Sequence, residues 1–430
     1  MANNSFNYFV CIKSVFILIL LVFFSSIDLD AQTNNTNTDS VLYWRNHYRY
    51  KENWEFFLSA PGTFLSTPLV LVSKFTEDAV GYIFERKTIP KIKAFITSDD
   101  GKRGCVPKYS DRSGFGLKIY QHDILNPESE LTLTAQLGFK KRQRYRVELK
   151  RMNFFNGPLL TDFTAQYRYL PNEAFYGIGP ETTVGDKTAY EREWFDIWLN
   201  SSILKTKKLT FHTRLGFEVN SIFAGQTSEY PSITDEYNSE TLPGLETGVK
   251  LARIQFGFRF NSLVRPGEPV SGNESLIYGG YYQQIDGTEY NFWEAGADFK
   301  QYINIFRNRV LLLRIAGGAK RQIDDKTIPF YRLSTIGIRE TVRGYTRGRF
   351  FDRDMAMASI EYRIPLWHSV DSSLFFDAGQ VSDNIFKERT IKNMEYGVGM
   401  GFRLWTPDRL IATFQFAVSP ERIRVYFIWN

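Results

Sequence analysis

Several long segments of the chain alternate between apolar and polar side chains, a pattern that predicts β-strands with two chemically different faces. In Leu209–Val219 one face is largely apolar, and the other carries His212, Arg214 and Glu218. The same alternation recurs in Ala358–Leu366 and again near the end of the chain. The sequence therefore predicts an all-β fold.

The length and composition of these segments separate a membrane barrel from a soluble β-sandwich, whose strands also alternate. The segments run for about 9–12 residues, the length of a membrane-spanning strand, whereas sandwich strands usually have about 5 or 6. Aromatic residues make up 16% of the chain, yet its mean hydropathy is only -0.30. Lipid-facing and lumen-facing residues alternate in a barrel and cancel in such an average. We therefore predict a transmembrane β-barrel.

The alternating segments predict a 16-stranded antiparallel barrel within residues 106–430. The first strand is expected to begin near Gly114, and another near Thr241. A long basic segment, residues 321–354, interrupts the series. An even number of strands places both ends of the barrel on the same side of the membrane.

The N-terminus has the features of a signal peptide, predicted for residues 1–32. Lys13 precedes the apolar run Val15–Phe24, which at about 10 residues is too short to span a bilayer as a helix. A buried helix of a soluble protein is the alternative interpretation. Export and the barrel pattern together predict the cell outer membrane. Residues 33–105 are predicted to form a short, partly helical segment that plugs the lumen, lies on the inner leaflet or packs beside the barrel mouth.

Composition argues against several classes of function. Without the predicted signal peptide the chain has one cysteine, Cys105, which excludes an internal disulfide framework and a cysteine-based metal cluster. The four histidines lack metal-ligand spacing, and we expect no cofactor, no metal and no enzymatic activity. His212 is interpreted as a polar lumen residue; the alternative, a catalytic base, requires a nearby serine. A formal charge of +6 over 430 residues does not indicate nucleic-acid binding.

A second basic feature is a short cluster within residues 140–146. Its members are Lys140, Lys141, Arg142, Arg144 and Arg146. We expect the cluster to lie at a solvated turn, with contact to lipid headgroups as the alternative.

The segment 321–354 carries seven arginines, an unusually basic composition for a surface hairpin. At its centre is the sequence Val342-Arg343-Gly344-Tyr345. Inside a lumen a guanidinium needs a partner, which Asp377 on an inward face would supply. Gly344 would allow the tip to turn sharply, and Tyr345 would pack the tip against the wall. Alternatively, the arginines bind lipopolysaccharide phosphates outside the barrel.

This segment resembles the sixth-loop motif of the bacterial surface-antigen superfamily, the BamA/TamA-like outer-membrane insertases. In that family the loop folds into the barrel, and its arginine contacts an acidic residue in a Phe-x-Asp element on the next-but-one strand. The matching element here is Phe375-Phe376-Asp377. The resemblance is strongest over residues 310–430. The residues before the barrel lack the βααββ pattern of the POTRA domains that usually precede it, so a POTRA-less member is expected.

The resemblance implies assembly or insertion of outer-membrane components through a lateral seam. The seam residues are expected to be Phe115 and Leu117 on the first strand and Val425 and Phe427 on the last. Outer-membrane lipid and lipopolysaccharide are the expected surroundings, and unfolded barrel clients or a separate periplasmic protein are possible partners. A passive pore, a structural barrel and a lipid-transport barrel remain as alternatives.

Overall fold

The computed structural model describes residues 97–430 apart from 111, 155–156, 205, 207, 226, 228, 265–268, 307–308, 368–369, 389–392, 406–409 and 430. The predicted signal peptide (1–32) and most of the predicted N-terminal segment (33–105) therefore lie outside the described residues. None of the helices within the described residues is long and apolar enough to cross a membrane.

One antiparallel sheet of sixteen strands dominates the described chain, and a two-stranded sheet accompanies it. The strands are β1 (Arg103–Ser110), β2 (Gly114–His122), β3 (Glu130–Leu137), β4 (Gln143–Met152), β5 (Leu159–Phe175), β6 (Thr188–Leu204), β7 (Leu209–Ala224), β8 (Val249–Asn261), β9 (Gly272–Gln284), β10 (Asn291–Phe306), β11 (Arg309–Gln322), β12 (Ser334–Ile336), β13 (Phe350–Asp352), β14 (Asp354–Trp367), β15 (Val370–Ser382), β16 (Glu395–Trp405), β17 (Leu410–Val418) and β18 (Ile423–Trp429). Two helices of one turn, α1 (Ile233–Glu236) and α2 (Ile385–Glu388), lie in loops.

Each strand of the large sheet pairs with its neighbour in sequence, except that β11 pairs with β14 across the small β12–β13 sheet. The sheet curls until its two edges, β1 and β18, lie side by side. At that point the ring centroids of Tyr109 and Phe427 are 6.0 Å apart. The prediction of a 16-stranded antiparallel barrel is confirmed.

Alternation along the strands gives the barrel an apolar outer face and a polar inner face. Phe115 and Leu117 point outward and are 64% and 52% exposed, as lipid-facing side chains should be. Thr132 and Gln136 on the neighbouring strand point inward and are fully buried. Pairing between successive strands satisfies backbone polar groups that lipid cannot hydrogen-bond.

The first strand is not the one that the sequence indicated. Gly114–His122 is the second strand, and β1 precedes it at Arg103, three residues before the expected start of the barrel. The β1 sequence has no clear alternation and contains Pro107, which lacks the N–H that a central strand must donate. An edge strand tolerates such a residue. Phe115 and Leu117 consequently lie on β2, one strand away from the edge.

No strand forms near Thr241 in the described residues. Residues 241–248 belong instead to the long β7–β8 loop. Pro243 lies in this stretch, and Gly244 and Gly248 have φ angles of +93° and +76°, the left-handed region that favours glycine. The predicted and observed numbers of strands agree because two errors cancel. The sequence pattern did not reveal β1, and it predicted a strand near Thr241, where turn residues prevent one.

Connections at the two ends of the barrel differ in length. Long loops, including the β7–β8 and β11–β14 connections, all lie at one end, and outer-membrane barrels place such loops outside the cell. Apolar side chains from these loops and the adjoining strand ends fill the outer mouth, with Phe175, Ile233 and Phe330 fully buried in one cluster. The start of β1 and the end of β18 lie at the opposite, periplasmic end.

Candidate functional site: the inner loop and the seam

The connection between β11 and β14, residues 323–353, folds into the lumen, and we call it the inner loop. The β12–β13 pair forms its stem, with Ser334 opposite Asp352. Beyond the stem, Val342 and Tyr345 at the tip are 0% and 1% exposed. The tip therefore lies inside the protein rather than on its outer surface.

At the tip, Arg343 makes a bidentate ion pair with Asp377 of β15. Nε donates to Oδ2 at 2.6 Å and Nη2 donates to Oδ1 at 2.7 Å. The backbone N–H of Arg343 adds a third bond to Oδ2 at 3.2 Å, and the Ser359 hydroxyl donates to Oδ1 at 2.6 Å. Asp377 is fully buried, and these four bonds occupy both of its oxygens. Two parallel hydrogen bonds between a guanidinium and a carboxylate fix the position of the arginine side chain as well as balancing its charge.

A second carboxylate balances the charge of the tip. Nη1 of Arg343 donates to Glu361 of β14 at 3.3 Å, and Arg363 donates to the other oxygen of Glu361 at 2.7 Å. The guanidinium of Arg343 also lies 3.4 Å from the ring centroid of Phe375, the aromatic residue of the Phe-x-Asp element. Two arginines and two acids thus form a closed network on the inner wall.

Gly344 turns the tip toward the last strand. Its φ angle is +102°, a conformation that favours glycine. Its N–H donates to the Tyr426 hydroxyl at 3.1 Å, and its carbonyl accepts from the Ser419 hydroxyl at 3.1 Å. Because Tyr426 lies on β18, the inner loop holds the edge strand from inside the barrel.

Tyr345 fixes the tip against the wall through both its ring and its hydroxyl. The ring packs edge-on against Phe350, with centroids 5.5 Å apart, and the hydroxyl donates to Glu395 at 2.5 Å. Burial, followed by the charge of Glu395, raises the pKa of Tyr345 well above its usual range. The hydroxyl therefore remains a donor at all physiological pH values.

Glycines on the inner wall make room for the tip. A Cβ atom at Gly397 would lie 2.0 Å from the carbonyl oxygen of Arg343, and one at Gly379 would lie 2.9 Å from a methyl group of Val342. A Cβ atom at Gly399 would lie 2.4 Å from the Phe375 ring. Real Cβ contacts are longer, so any side chain at Gly397 displaces the tip.

We expect Gly397→Ala to destabilise the folded barrel by about 1–3 kcal/mol, as overpacking of a close-packed site does. The new methyl group meets the backbone of the inner loop, which cannot move aside as a flexible side chain can. The free energy of unfolding in urea measures the effect. Gly279→Ala is the control, because the nearest atom to a Cβ there is 3.7 Å away. Equal stability of the two variants would contradict the close fit.

Arg349 forms a second anchor between the inner loop and the outer loops. It donates to Glu421, in the β17–β18 turn, at 2.7 Å and to the Thr182 carbonyl in the β5–β6 loop at 2.7 Å. Nearby, the Gly179 N–H donates to the Phe351 carbonyl at 2.7 Å. The sequence placed Arg349 among the basic residues of the segment but did not indicate its partners.

The base of the inner loop is attached to the opposite wall. Arg332 donates to Glu218 of β7 at 2.7 Å, and Glu218 also pairs with Arg253 at 3.3 Å. Arg253 makes a second ion pair, 2.7 Å long, with Asp196. With its base on β7 and its tip on β15 and β18, the inner loop lies across the lumen.

The seam lies between β1 and β18, the two edges of the large sheet. Within the described residues no strand pairing joins them. Val425 and Phe427 of β18 point outward and are 54% and 40% exposed, as residues expected at the seam. Leu117, also expected there, instead faces lipid from β2, opposite Pro107 of β1.

The inner wall brings one serine opposite a histidine. Ser202 of β6 is the register partner of His212 of β7, which faces the lumen as expected. Between 97 and 430, outside the gaps, no hydrogen bond joins the two side chains, and the Ser202 hydroxyl donates to the Leu160 carbonyl at 3.4 Å. In the described residues this serine and histidine are therefore not joined as a hydrogen-bonded nucleophile–base pair.

Comparisons with known proteins agree with this architecture. A family model of the Omp85 superfamily domain matches residues 113–424. No curated protein matches the chain. BamA from Haemophilus ducreyi lacking POTRA domains 1-3 is similar in structure, with a TM-score of 0.57 and 17% identity over 75% of this chain and 68% of that one. At this identity the likeness shows the fold alone.

Two CdiB structures are more distant. CdiB from Escherichia coli has a TM-score of 0.49 and CdiB from Acinetobacter baumannii one of 0.46, each at 12% identity over 75% of this chain. The matches cover 61% and 57% of the two CdiB chains. Because the family model matches most of the sequence, from β2 into β18, the chain belongs to the Omp85 superfamily.

Proposed function

We propose that this protein assists the assembly or insertion of outer-membrane components through the seam between β1 and β18. The superfamily and the barrel fold indicate an outer-membrane location. The observation that carries the proposal is the seam itself, where two edge strands lie side by side without a described ladder. Edge strands present unpaired N–H and C=O groups that can template an incoming strand.

The lengths of the strands around the seam support this proposal. β1, β2 and β3 have 8, 9 and 8 residues, whereas β5 and β6 each have 17. At a rise of about 3.3 Å per residue, and with the usual tilt, a strand as short as β1 cannot cross a hydrocarbon core of about 30 Å. Such a mismatch thins the bilayer locally, which lowers the barrier to insertion beside the seam.

The inner loop supports a seam that opens from one side. β18 is held from inside through the bond between Tyr426 and Gly344. Within the described residues the ladder of β1 is formed with β2, and Gly104 of β1 adds one bridge to Thr97. Pro107 further weakens the ability of β1 to form a continuous ladder. We therefore infer that β1 separates while β18 stays in place, and that unfolded barrel clients pair with the exposed edge.

A passive pore is the less favoured function. The inner loop runs across the lumen from Arg332 to Arg343, and the outer loops fill the mouth with buried apolar side chains. Both features obstruct a wide aqueous path. Lipid and lipopolysaccharide remain the expected contacts of the outer face, and we expect clients to arrive with a separate periplasmic protein.

The test is to reconstitute the purified full chain in liposomes and to time the folding of an unrelated unfolded barrel. We expect folding about tenfold faster than in empty liposomes, equivalent to about 1.4 kcal/mol off the barrier. Liposomes containing a different, tightly closed barrel control for general disturbance of the bilayer. Release of a trapped dye without faster folding would indicate a pore and contradict the proposal.

A further inference from the structure

A patch of arginines lines the inner wall of β4–β7, separate from the residues that hold the inner loop tip. Arg144 of β4 and Arg168 of β5 are register partners, and both face the lumen. Arg146 lies two residues along on the same face of β4, and Arg214 lies on the inner face of β7. We call these four residues the arginine patch.

In the described residues Arg144, Arg168 and Arg214 make no hydrogen bond or ion pair to a carboxylate, and Asp196, on the neighbouring inner face of β6, is paired with Arg253 instead. For Arg168 and Arg214 the described residues provide no hydrogen bond and no ion pair, and the Nε atom of each is buried without a partner. Arg144 donates only to neutral oxygens, those of Gln166 at 3.1 Å and Gln136 at 3.4 Å. Arg146 has a carboxylate, Glu148, at 2.8 Å, but Lys150 shares it at 3.3 Å.

Two tryptophans lie beside three of the four guanidinium groups of the patch. Trp194 and Trp198 lie four residues apart on the inner face of β6. The guanidinium of Arg168 lies 5.3 Å from the Trp194 ring centroid. Those of Arg146 and Arg214 lie 5.5 Å and 5.8 Å from the Trp198 ring centroid. Cation–π contacts of this length restrain the guanidiniums but bring no carboxylate to them.

The placement of these charges is unfavourable for an empty barrel. Like charges directly opposite each other on paired strands destabilise a sheet, and Arg144 stands directly opposite Arg168. By contrast, Arg314 faces Asp298 in a bidentate pair with bonds of 2.9 Å and 2.8 Å. The arginine patch thus differs from the paired charges elsewhere in the lumen, since Arg144 and Arg168 face each other with no carboxylate bonded to either in the described residues.

The sequence had singled out part of this patch. The cluster of residues 140–146 was expected to form a solvated turn. The structure divides the cluster, because Lys140 and Lys141 lie in the β3–β4 turn whereas Arg144 and Arg146 lie on β4 and point inward. Both arginines are half-buried, and their exposed fraction faces the lumen.

We propose that the arginine patch binds a phosphate-bearing ligand inside the barrel. Three arginines without a carboxylate partner match a multiply charged phosphate better than a singly charged carboxylate. The planar guanidinium also binds two phosphate oxygens at once. The ligand is a soluble phosphate compound or a lipid headgroup that reaches the lumen. This binding site is independent of the seam and would exist even in a barrel that inserts nothing.

Calorimetric titration of the full chain in a zwitterionic detergent at low ionic strength tests the proposal, with inorganic pyrophosphate as the probe. We expect Arg168→Gln and Arg144→Gln each to weaken binding about tenfold, as loss of a charge-assisted bond to an anion does. Arg259→Gln is the matched control, since Arg259 faces the lumen from β8 but lies outside the patch. Its binding should equal that of the unsubstituted protein.

A stability measurement distinguishes loss of the binding site from misfolding of a variant. Without ligand, Arg168→Gln should resist urea at least as well as the unsubstituted protein, because it removes repulsion. Pyrophosphate should stabilise the unsubstituted protein and not the variant. Short-chain phosphatidic acid distinguishes the sources: binding of this lipid alone, lost in Arg168→Gln, indicates a headgroup. If neither probe binds, or if Arg168→Gln and Arg259→Gln bind equally well, the proposal is wrong.

Discussion

Replacing Asp377 with alanine should lower the free energy of unfolding of the barrel by about 3–5 kcal/mol, because it leaves a buried arginine without its main partner. Arg343 is only 7% exposed and would keep one carboxylate, Glu361, which Arg363 also occupies. Removal of one partner from a buried pair leaves a charge that the protein interior cannot solvate. Arg343→Ala should have an effect of similar size, since Asp377 would keep only the Ser359 hydroxyl and one backbone N–H.

The loss is measured by heat-modifiable gel migration and by urea unfolding in detergent. The double variant Arg343→Ala with Asp377→Ala should be less destabilised than the sum of the single variants, because the two residues act as one pair. Arg339→Ala provides the control, since Arg339 lies in the same loop but pairs at the surface with Glu340. Such exposed pairs contribute about 1 kcal/mol or less. Unchanged migration of both single variants would show that the pair does not stabilise the fold.

The sequence predicted the features that depend on local pattern. Period-two alternation identified the lipid-facing side chains, such as Phe427, because strand geometry fixes which face a residue takes. The spacing of the sixth-loop motif and the Phe-x-Asp element identified Arg343 and Asp377 as partners, and the structure places their side chains within 2.6 Å. Here the expectation came from the family resemblance, since no local rule relates two residues so far apart.

The sequence could not predict features set by the tertiary path of the chain. Pro107 made the edge strand β1 difficult to recognise from the sequence, because a proline usually argues against a strand. It is acceptable in a strand only where no neighbour needs its N–H. The bonds from Gly344 to Tyr426 and from Arg349 to Glu421 depend on how the inner loop crosses the lumen. The pairing of Arg144 with Arg168 depends on strand register, which alternation alone does not determine.

The largest effect on function should come from closing the seam covalently. Tyr109→Cys and Phe427→Cys, in a Cys105→Ser background, place one thiol on each edge strand where the two native rings are 6.0 Å apart. Oxidation would tie β1 to β18 and prevent β1 from leaving. Since the proposed mechanism requires that movement, folding of a client beside the tethered barrel should slow to the rate in empty liposomes. Reductant should restore the faster rate.

A second disulfide controls for oxidation and for general stiffening of the barrel. Phe115→Cys and Leu137→Cys join β2 to β3, which are already paired, and both positions face lipid. Beside this variant, whether oxidised or reduced, the client should fold faster than in empty liposomes. The decisive measurement is therefore the client folding rate beside the β1–β18 tether, before and after reduction. Recovery on reduction is the predicted result. Full acceleration beside a tether shown by gel shift to be completely oxidised would contradict an opening seam.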